Sequence, residues 1–263
     1  MSGLYIPVGS PDGSSTAHAR NLLAPNPGPM TLDGTNTWVI GTGRRVVVVD
    51  PGPDDEAHLQ RVVKHLDGGQ VTQILLTHGH HDHSGGARRF AELTGAPVRA
   101  LDPQHRLGEE GLADGDVIDV DGLEIRVYGT PGHSFDSLCF WIEADRAMLT
   151  GDTILGRGTT VIAHDGDLGD YLRSLDRLVR GAEALGARAL LPGHGPVLPD
   201  PLAVLEAYRA HRQERLDQIR AALRQGARTP REIVEIVYAE VDPSLWPAAE
   251  WSVRAQLDYL DRL

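Results

Sequence analysis

The sequence predicts a layered α/β domain followed by a small helical module. From residue 36 onward, short apolar runs of strand length alternate with amphipathic stretches that have helical periodicity. Two strand-like runs at residues 117–120 and 123–128 follow each other closely, which predicts hairpins and therefore a mixed rather than a purely parallel sheet. After residue 200 the strand pattern stops and only helical patterns remain. We therefore expect two domains, at residues 1–200 and 201–263.

The individual elements follow from hydrophobic periodicity and from helix-end signals. Thr229 can cap a helix N-terminus, and Pro230 suits the first turn of that helix. Residues 10–29, rich in Gly, Pro and Ser, are expected to form a long irregular segment. The strand candidates are residues 36–41, 45–50, 71–77, 98–101, 117–120, 123–128, 138–142, 147–150 and 189–191, and the helix candidates are residues 55–65, 85–93, 168–179, 202–223, 229–240 and 246–263.

Composition narrows the class of protein. The formal net charge of -12 argues against a protein that coats a polyanion, because phosphate contacts usually come from an excess of Lys and Arg. The single cysteine, Cys139, lies in an apolar run and is expected to be a buried strand residue. The first ten residues lack a basic and apolar signal pattern, and no run approaches the roughly 18 apolar residues of a membrane span. These features predict a cytoplasmic protein that does not bind a membrane.

A dense group of histidines follows the strand candidate at residues 71–77. The segment T-H-G-H-H-D-H supplies four potential ligands within six residues, and neutral imidazoles cluster productively when a cation shares their lone pairs. Three further candidates each follow another strand-like run, and each taken alone is more often an ordinary Gly/Pro turn. If these strand ends meet at one edge of a sheet, five His and two Asp converge on two metal ions. The candidate ligands are His78, His80, Asp82, His83, His133, Asp152 and His194.

This pattern resembles that of the metallo-β-lactamase superfamily, whose His-x-His-x-Asp-His signature is matched by residues 78–83. The resemblance implies a four-layer αββα sandwich with the metals at one edge of its two sheets. It also implies one metal on His78, His80 and His133, a second on Asp82, His83 and His194, and Asp152 as a bridge. A hydroxide between the metals would be the nucleophile, and Asp82 would be catalytic by orienting it and carrying its proton. Nitrogen-rich ligation favours two zinc ions, with iron or manganese as alternatives.

Several other residues are candidates for supporting roles. His81 matches the variable position of the signature and is expected at the rim of the site or near the substrate. Asp50 is either a partner for a ligand imidazole or a turn-forming residue before Pro51. Thr159, Thr160 and Tyr171 are candidates for substrate contact, with packing as the alternative.

A closer resemblance is to the β-lactamase-like protein 2 branch, which implies endoribonuclease activity on single-stranded RNA. The matching stretches are residues 34–37, 130–137, 151–160, 167–175 and 211–219. Zinc β-lactamases of the commonest type carry Cys where this chain has Asp152, so antibiotic hydrolysis is not expected. The alternatives are a thioester or lactone hydrolase similar to glyoxalase II and a persulfide dioxygenase with one iron. The substrate is therefore expected to be a small ester or thioester, or single-stranded RNA.

In that branch the chain ends in a winged-helix-like module, but here it stops where the wing would be expected. The resemblance therefore implies a helical, winged-helix-like appendage without a full wing. Acidic residues interleave with the arginines of this region, which predicts a solvated helix face rather than an RNA path. A homodimer is a further expectation. The arginines concerned are Arg209, Arg212, Arg215, Arg220, Arg224, Arg228 and Arg231.

Overall fold

A five-stranded mixed sheet carries the N-terminal half of the fold in the computed structural model, which describes residues 15–263. In order across the sheet, its strands are β1 (Ala19–Leu23), β2 (Asn36–Ile40), β3 (Arg45–Val49), β4 (Gln70–Leu75) and β5 (Val98–Arg99). The first three strands are antiparallel, whereas β3, β4 and β5 are parallel. Parallel neighbours require crossover connections, which α1 (Glu56–His65), α2 (His81–Ser84) and α3 (Ala87–Thr94) provide.

A six-stranded mixed sheet carries the second half. In order across the sheet, its strands are β11 (Leu198–Pro199), β10 (Ala189–Pro192), β9 (Ala147–Gly151), β8 (Leu138–Ile142), β7 (Leu123–Gly129) and β6 (Val117–Val120). Strands β9 and β10 are parallel and are joined by α4 (Leu168–Leu185), and the other pairs are antiparallel. The prediction of a mixed sheet with hairpins is confirmed.

The two sheets pack face to face between outer helices. Strand β8 illustrates the arrangement, because all five of its residues are buried. Successive strand side chains point to opposite faces, so Leu138 and Phe140 pack into the core between the sheets, while Cys139 and Trp141 pack against α4. On the other outer face, Leu59 of α1 and Phe90 of α3 cover the first sheet. The expected four-layer αββα sandwich is confirmed.

The C-terminal helices form a fourth apolar cluster. Helix α5 (Pro201–Arg224) begins in the α4 layer and ends in a cluster with α6 (Pro230–Val237) and α7 (Trp246–Leu260). The predicted cap at Thr229 is confirmed, because its side chain accepts from the Glu232 backbone N–H in a capping box. Among residues 15–263, no strand follows β11, so the appendage consists of helices without a β-hairpin wing.

Three expectations from the sequence need correction. Residues 15–29 are not wholly irregular, because β1 pairs with β2 there; residues 10–14 lie outside the described part of the chain. The short strand β11 is also absent from the sequence prediction. Arg212 does not lie on a solvated face, since it is only 4% exposed and lies on the buried face of α5 with Tyr208 and Leu216.

The N-terminal residues on which the expectation about a signal sequence rests lie outside the described residues. Within residues 15–263, no helix is long and apolar enough to cross a bilayer.

Candidate metal centre

The structure brings all seven predicted ligands together at one edge of the two sheets. Four of them lie in the loop after β4 and in the short helix α2. The others follow the ends of β7, β9 and β10, as His133, Asp152 and His194. Each ligand therefore follows the end of a sheet strand, which fixes its backbone within the packed sandwich. This arrangement gives a cluster of groups that could hold metal ions.

Three of these ligands form a compact set, here called the first trio: His78, His80 and His133. The Nδ1 atom of His80 lies 3.0 Å from Nε2 of His78 and 3.1 Å from Nε2 of His133. These atoms are close enough together to share one cation.

The second trio consists of Asp82, His83 and His194. The Nε2 atom of His194 lies 3.2 Å from Nε2 of His83 and 3.1 Å from Oδ2 of Asp82. Two imidazole nitrogens and a carboxylate oxygen are also a suitable ligand set for one cation.

Asp152 lies between the two trios. Its Oδ1 atom is 3.4 Å from Nε2 of His83, and its Oδ2 atom is 3.8 Å from Nε2 of His133. Oδ1 is buried and accepts no hydrogen bond from the described residues. Leaving a buried acceptor unsatisfied typically costs about 1–3 kcal/mol, so this oxygen fits a cation as its partner.

Protein acceptors fix the tautomers of the first trio. Nδ1 of His133 lies 2.8 Å from the Val161 carbonyl oxygen, and Nε2 of His80 lies 2.6 Å from Oδ2 of Asp165. Because a carbonyl or carboxylate oxygen can only accept, each of these nitrogens is the donor. The opposite nitrogen of each neutral ring then carries a lone pair that points into the trio.

His78 is held in the same way through a relay. The Thr77 hydroxyl donates to Asp50 at 2.6 Å, so it can accept the His78 Nδ1–H at 3.0 Å. The His78 Nε2 lone pair also points inward. Three lone pairs that face one another at about 3 Å repel unless a cation accepts them, so the trio fits a metal ion.

Asp50 also holds the second trio. Nδ1 of His83 donates to Asp50 Oδ2 at 2.8 Å, and Nδ1 of His194 donates to the Gly34 carbonyl oxygen at 3.0 Å. Asp50 is only 1% exposed, so water does not compete for its oxygens. It orients one imidazole of each trio: His83 directly and His78 through Thr77. Of the two expectations for Asp50, the geometry favours the partner of a ligand imidazole.

The two trios differ in charge. Burial holds the pKa of His78 well below its usual value, and the neighbouring imidazoles lower it further. Burial alone would lower the pKa of His194, but Asp152 and Asp82 raise it to about 9. Burial would raise the pKa of Asp82, but His83 and His194 lower it to about 2. In the metal-free protein at neutral pH, the second trio therefore carries a proton that a cation has to displace.

We expect zinc binding at the second trio to release at least one proton near pH 7. The raised pKa of His194 means that this imidazole is protonated below about pH 9, so the apparent zinc affinity should fall about tenfold per pH unit as the pH decreases. His78, whose pKa is lowered, has no such proton to lose. Calorimetric titration in two buffers of different ionisation enthalpy measures the release. His133→Ala, which keeps the second trio, should release more protons than His194→Ala, and equal release would contradict the assignment.

Asp165 is a site residue that sequence reasoning missed. It lies in the loop before α4, and His80 is 85 positions away in the chain. No local pattern marks this loop, although a ligand imidazole usually has an outer acceptor. Its carboxylate sets the orientation of His80, since it is the acceptor for the outward nitrogen of that ring.

Asp165→Asn should weaken metal binding at the first trio by roughly 10- to 100-fold, because the amide is a poorer acceptor for the His80 N–H. Metal affinity measured by competition with a chelator checks this value. Asp136→Asn is the control, since the Asp136 carboxylate accepts from Ser134 and contacts no ligand imidazole in the described residues. Equal affinities for Asp165→Asn and the unchanged protein would show that the contact does not support the ligand.

The remaining predicted residues lie at different distances from the metal centre. His81 is exposed and belongs to neither trio, and Thr159 is exposed at the cavity described below. Thr160 is buried, and its hydroxyl donates to the Asp152 carbonyl oxygen at 2.8 Å. Tyr171 is fully buried and donates to the Thr153 carbonyl oxygen at 2.7 Å. Of the two expectations for Tyr171, its burial and this hydrogen bond favour packing that supports the loop after β9.

A cavity of about 360 Å³ opens beside the metal centre. Two ligands, His133 and Asp152, form part of its wall, and the C-terminal helices form the opposite wall. Much of the lining is apolar: Met30, Leu32, Leu155, Val241, Leu245 and Ala248 contribute side chains. A substrate in this cavity would lie between the metal ligands and the helical appendage.

An αββα sandwich with a His/Asp cluster at the edge of its two sheets is the architecture of a class of metal-dependent hydrolases. The chain belongs to the metallo-beta-lactamase superfamily, whose family model matches residues 30–194. A second model, the beta-lactamase associated winged helix domain, matches residues 229–262.

Similar proteins are found among curated sequences and solved structures. A beta-lactamase-like protein 2 homolog of Drosophila melanogaster is 32% identical over 271 residues, covering 94% of this chain and 89% of the relative. An atrochrysone carboxyl ACP thioesterase of Aspergillus fumigatus is 34% identical over 240 residues, covering 84% of this chain and 73% of the relative. The structure of a metallo-beta-lactamase family protein from Thermus thermophilus superimposes with a TM-score of 0.77 at 26% identity, covering 93% of both chains.

Proposed function

We propose that the protein is a cytoplasmic two-metal hydrolase, with zinc in both trios, that cleaves a thioester with an apolar acyl group. The observation that carries the proposal is the largely apolar cavity that has His133 and Asp152 in its wall. A small acyl substrate can bury its chain there while its carbonyl group reaches the ligand cluster. Two bound zinc ions would supply an activated water molecule and polarise the scissile carbonyl group.

The protein's own residues supply the rest of the chemistry. Asp82 is the most exposed carboxylate of the ligand set, with 29% of its side chain accessible against 10% for Asp152. One of its oxygens is therefore available to accept a proton from the attacking water and to pass it to the leaving thiol. Asp50, Asp165 and backbone carbonyl groups hold the outward nitrogens of the imidazoles, which fixes the orientation of each ring. Bound zinc would displace the proton that His194 carries in the metal-free protein.

Two further observations favour a thioester over a phosphodiester. A similar protein, at 34% identity over 84% of this chain, is named as an acyl carrier protein thioesterase. The net charge of -12 and the absence of a wing strand among residues 15–263 give little support for holding a polyanion. Cleavage of single-stranded RNA, which the sequence resemblance implied, is the alternative that the same experiment tests.

The test is turnover by zinc-loaded protein on a panel of acyl thioesters of increasing chain length, beside a lactone and a fluorescent single-stranded RNA. We expect thioester hydrolysis that depends on zinc and is lost in Asp82→Ala. Because the apolar cavity would bury the acyl chain, the KM of the thioester should fall as the acyl group lengthens, until the cavity is filled. RNA cleavage without thioester turnover, lost in the same variant, would replace the proposal with the nuclease alternative.

A further inference from the structure

Helix α5 presents a buried positive charge to the cavity. The Arg212 side chain is only 4% exposed, and its guanidinium group lies 4.8 Å from the centre of the Tyr171 ring. One terminal nitrogen donates to the Thr160 carbonyl oxygen. The Nε–H group is buried and has no acceptor among the described residues. A buried guanidinium that lacks a carboxylate partner is costly, because neither a carbonyl oxygen nor an aromatic ring replaces a negative charge.

Two neighbours on α5 add further donors. Nε2 of His211 accepts from Nε of Arg215 at 3.3 Å, so the proton of the neutral His211 ring lies on Nδ1. Burial, Arg212 and Arg215 lower the pKa of His211 to about 4, which keeps this ring neutral at pH 7. The His211 Nδ1 atom is buried and, within residues 15–263, has no acceptor. Two N–H groups on adjacent residues therefore lack acceptors beside the same cavity.

The charges around the cavity are also unbalanced. Arg157, on the opposite wall, is neutralised by Asp33, whose Oδ1 atom lies 2.8 Å from a guanidinium nitrogen. Arg215 donates to Gln218 and to the Val237 carbonyl oxygen, and it stacks on the Tyr238 ring. In the described part of the chain, neither Arg212 nor Arg215 forms an ion pair with a carboxylate. The α5 wall of the cavity thus offers two cationic side chains and unused donors.

We propose that Arg212, together with His211 and Arg215, binds an anionic oxygen group of the substrate. This inference rests on the proposed thioester hydrolysis and adds that the substrate carries a charge some distance from the scissile bond. The planar guanidinium group suits a carboxylate or a phosphate, and both chemistries share the same donors. The anion would come either from a carboxylate on the acyl side of the thioester or from a phosphate on its thiol side.

Matched substrate pairs distinguish these two sources. The first pair is the glutaryl thioester of N-acetylcysteamine and its neutral monoamide counterpart. The second pair is the hexanoyl thioester of 4′-phosphopantetheine and that of pantetheine. In the unchanged protein, we expect the charged member of one pair to have a kcat/KM roughly a hundredfold higher, which is typical for a buried charge pair. No preference in either pair would overturn the proposal.

The variant Arg212→Gln should abolish this preference, and Arg215→Gln should reduce it. Arg209→Gln is the matched control, because Arg209 lies on the same helix, is half exposed and pairs with Asp176. Damage to the loop that Arg212 supports would lower turnover of both members of a pair and leave their ratio unchanged. A preference that survives in Arg212→Gln would therefore overturn the proposal even if the variant is less active.

A binding measurement separates this inference from the proposed activity. If the zinc-loaded protein hydrolyses no thioester, the proposed function fails, and glutarate and inorganic phosphate are then titrated by calorimetry. Glutarate or phosphate binding that weakens roughly a hundredfold in Arg212→Gln, but not in Arg209→Gln, would support the anion site by itself. Equal binding by both variants would place the anion elsewhere and overturn the proposal.

Discussion

Asp152→Ala is expected to lower kcat/KM by a factor of at least about 10³, because the carboxylate lies between the two trios and contacts imidazoles of both. Removing it leaves His83 and His194 without the carboxylate that lies next to both. The two trios also lose the side chain that lies between them, so metal content should fall. The fold should persist, since the sandwich core does not include this side chain. Steady-state kinetics with metal content and far-ultraviolet circular dichroism measured on the same samples checks all three expectations.

Asp176→Ala is the control for the loss of a carboxylate. Asp176 forms an exposed ion pair with Arg209 on the surface, and such pairs contribute about 0–1 kcal/mol to the free energy of unfolding. Its kinetics should match those of the unchanged protein. Retention of more than a tenth of the activity by Asp152→Ala, with both metals bound, would show that the carboxylate does not link the two metal positions.

Asp82→Asn should lower kcat by roughly 10²- to 10⁴-fold with a smaller change in KM. The amide keeps the size of the side chain and one oxygen that can face the second trio, but it cannot accept a proton. The substrate cavity does not include Asp82 in its lining, so binding of the acyl chain should be preserved. The measurement is a full kcat and KM determination at equal zinc content.

Asp217→Asn provides the comparison, because Asp217 is exposed on α5 and pairs with Arg220. If Asp82→Asn unfolds, or if its kcat falls and its KM rises together, the carboxylate would instead have a structural role. If kcat stayed within tenfold of that of the unchanged protein, proton transfer would have to be assigned to another group.

The ligand set could be predicted from sequence because each ligand has a local signal. The four ligands of residues 78–83 lie close together in the chain, and His133, Asp152 and His194 each follow a strand that its apolar residues indicate. Hydrophobic alternation identifies β6 and β7, where buried and exposed residues alternate, and a short continuous apolar run identifies β8. The packing of two sheets then brings separate strand ends to one edge.

The supporting residues could not be predicted in the same way. Asp165 meets His80 only through the tertiary fold, in a loop without periodicity. Arg212 has the sequence environment of a solvated helix face, with acidic neighbours such as Glu214 and Asp217. The apolar periodicity of α5 indicates the opposite, because Tyr208 and Leu216, four positions before and after Arg212, are buried on the same face of the helix. The spacing of the apolar residues therefore identifies the buried face of α5, and the interleaved charges do not.

Strand β1 could not be predicted for a related reason. Its sequence ARNLL has a polar centre and no β-branched residue, so it lacks the composition of a strand. It nevertheless pairs along its full length with β2, where Asn21 donates to the side chain of Asn36 at 2.6 Å. Asn36 in turn donates to backbone carbonyl groups at Pro192 and Gly195, on either side of the ligand His194. A strand that looked irregular therefore helps to position the metal centre.

The number of metal ions bound per chain tests the two-trio metal centre most directly. Metal analysis of the purified, fully active protein should give about two zinc ions per chain, and His133→Ala and His194→Ala should each retain about one. Each variant would keep one complete trio. A single iron per active chain, with turnover that requires oxygen, or a single zinc that supports full activity, would contradict the two-metal hydrolase.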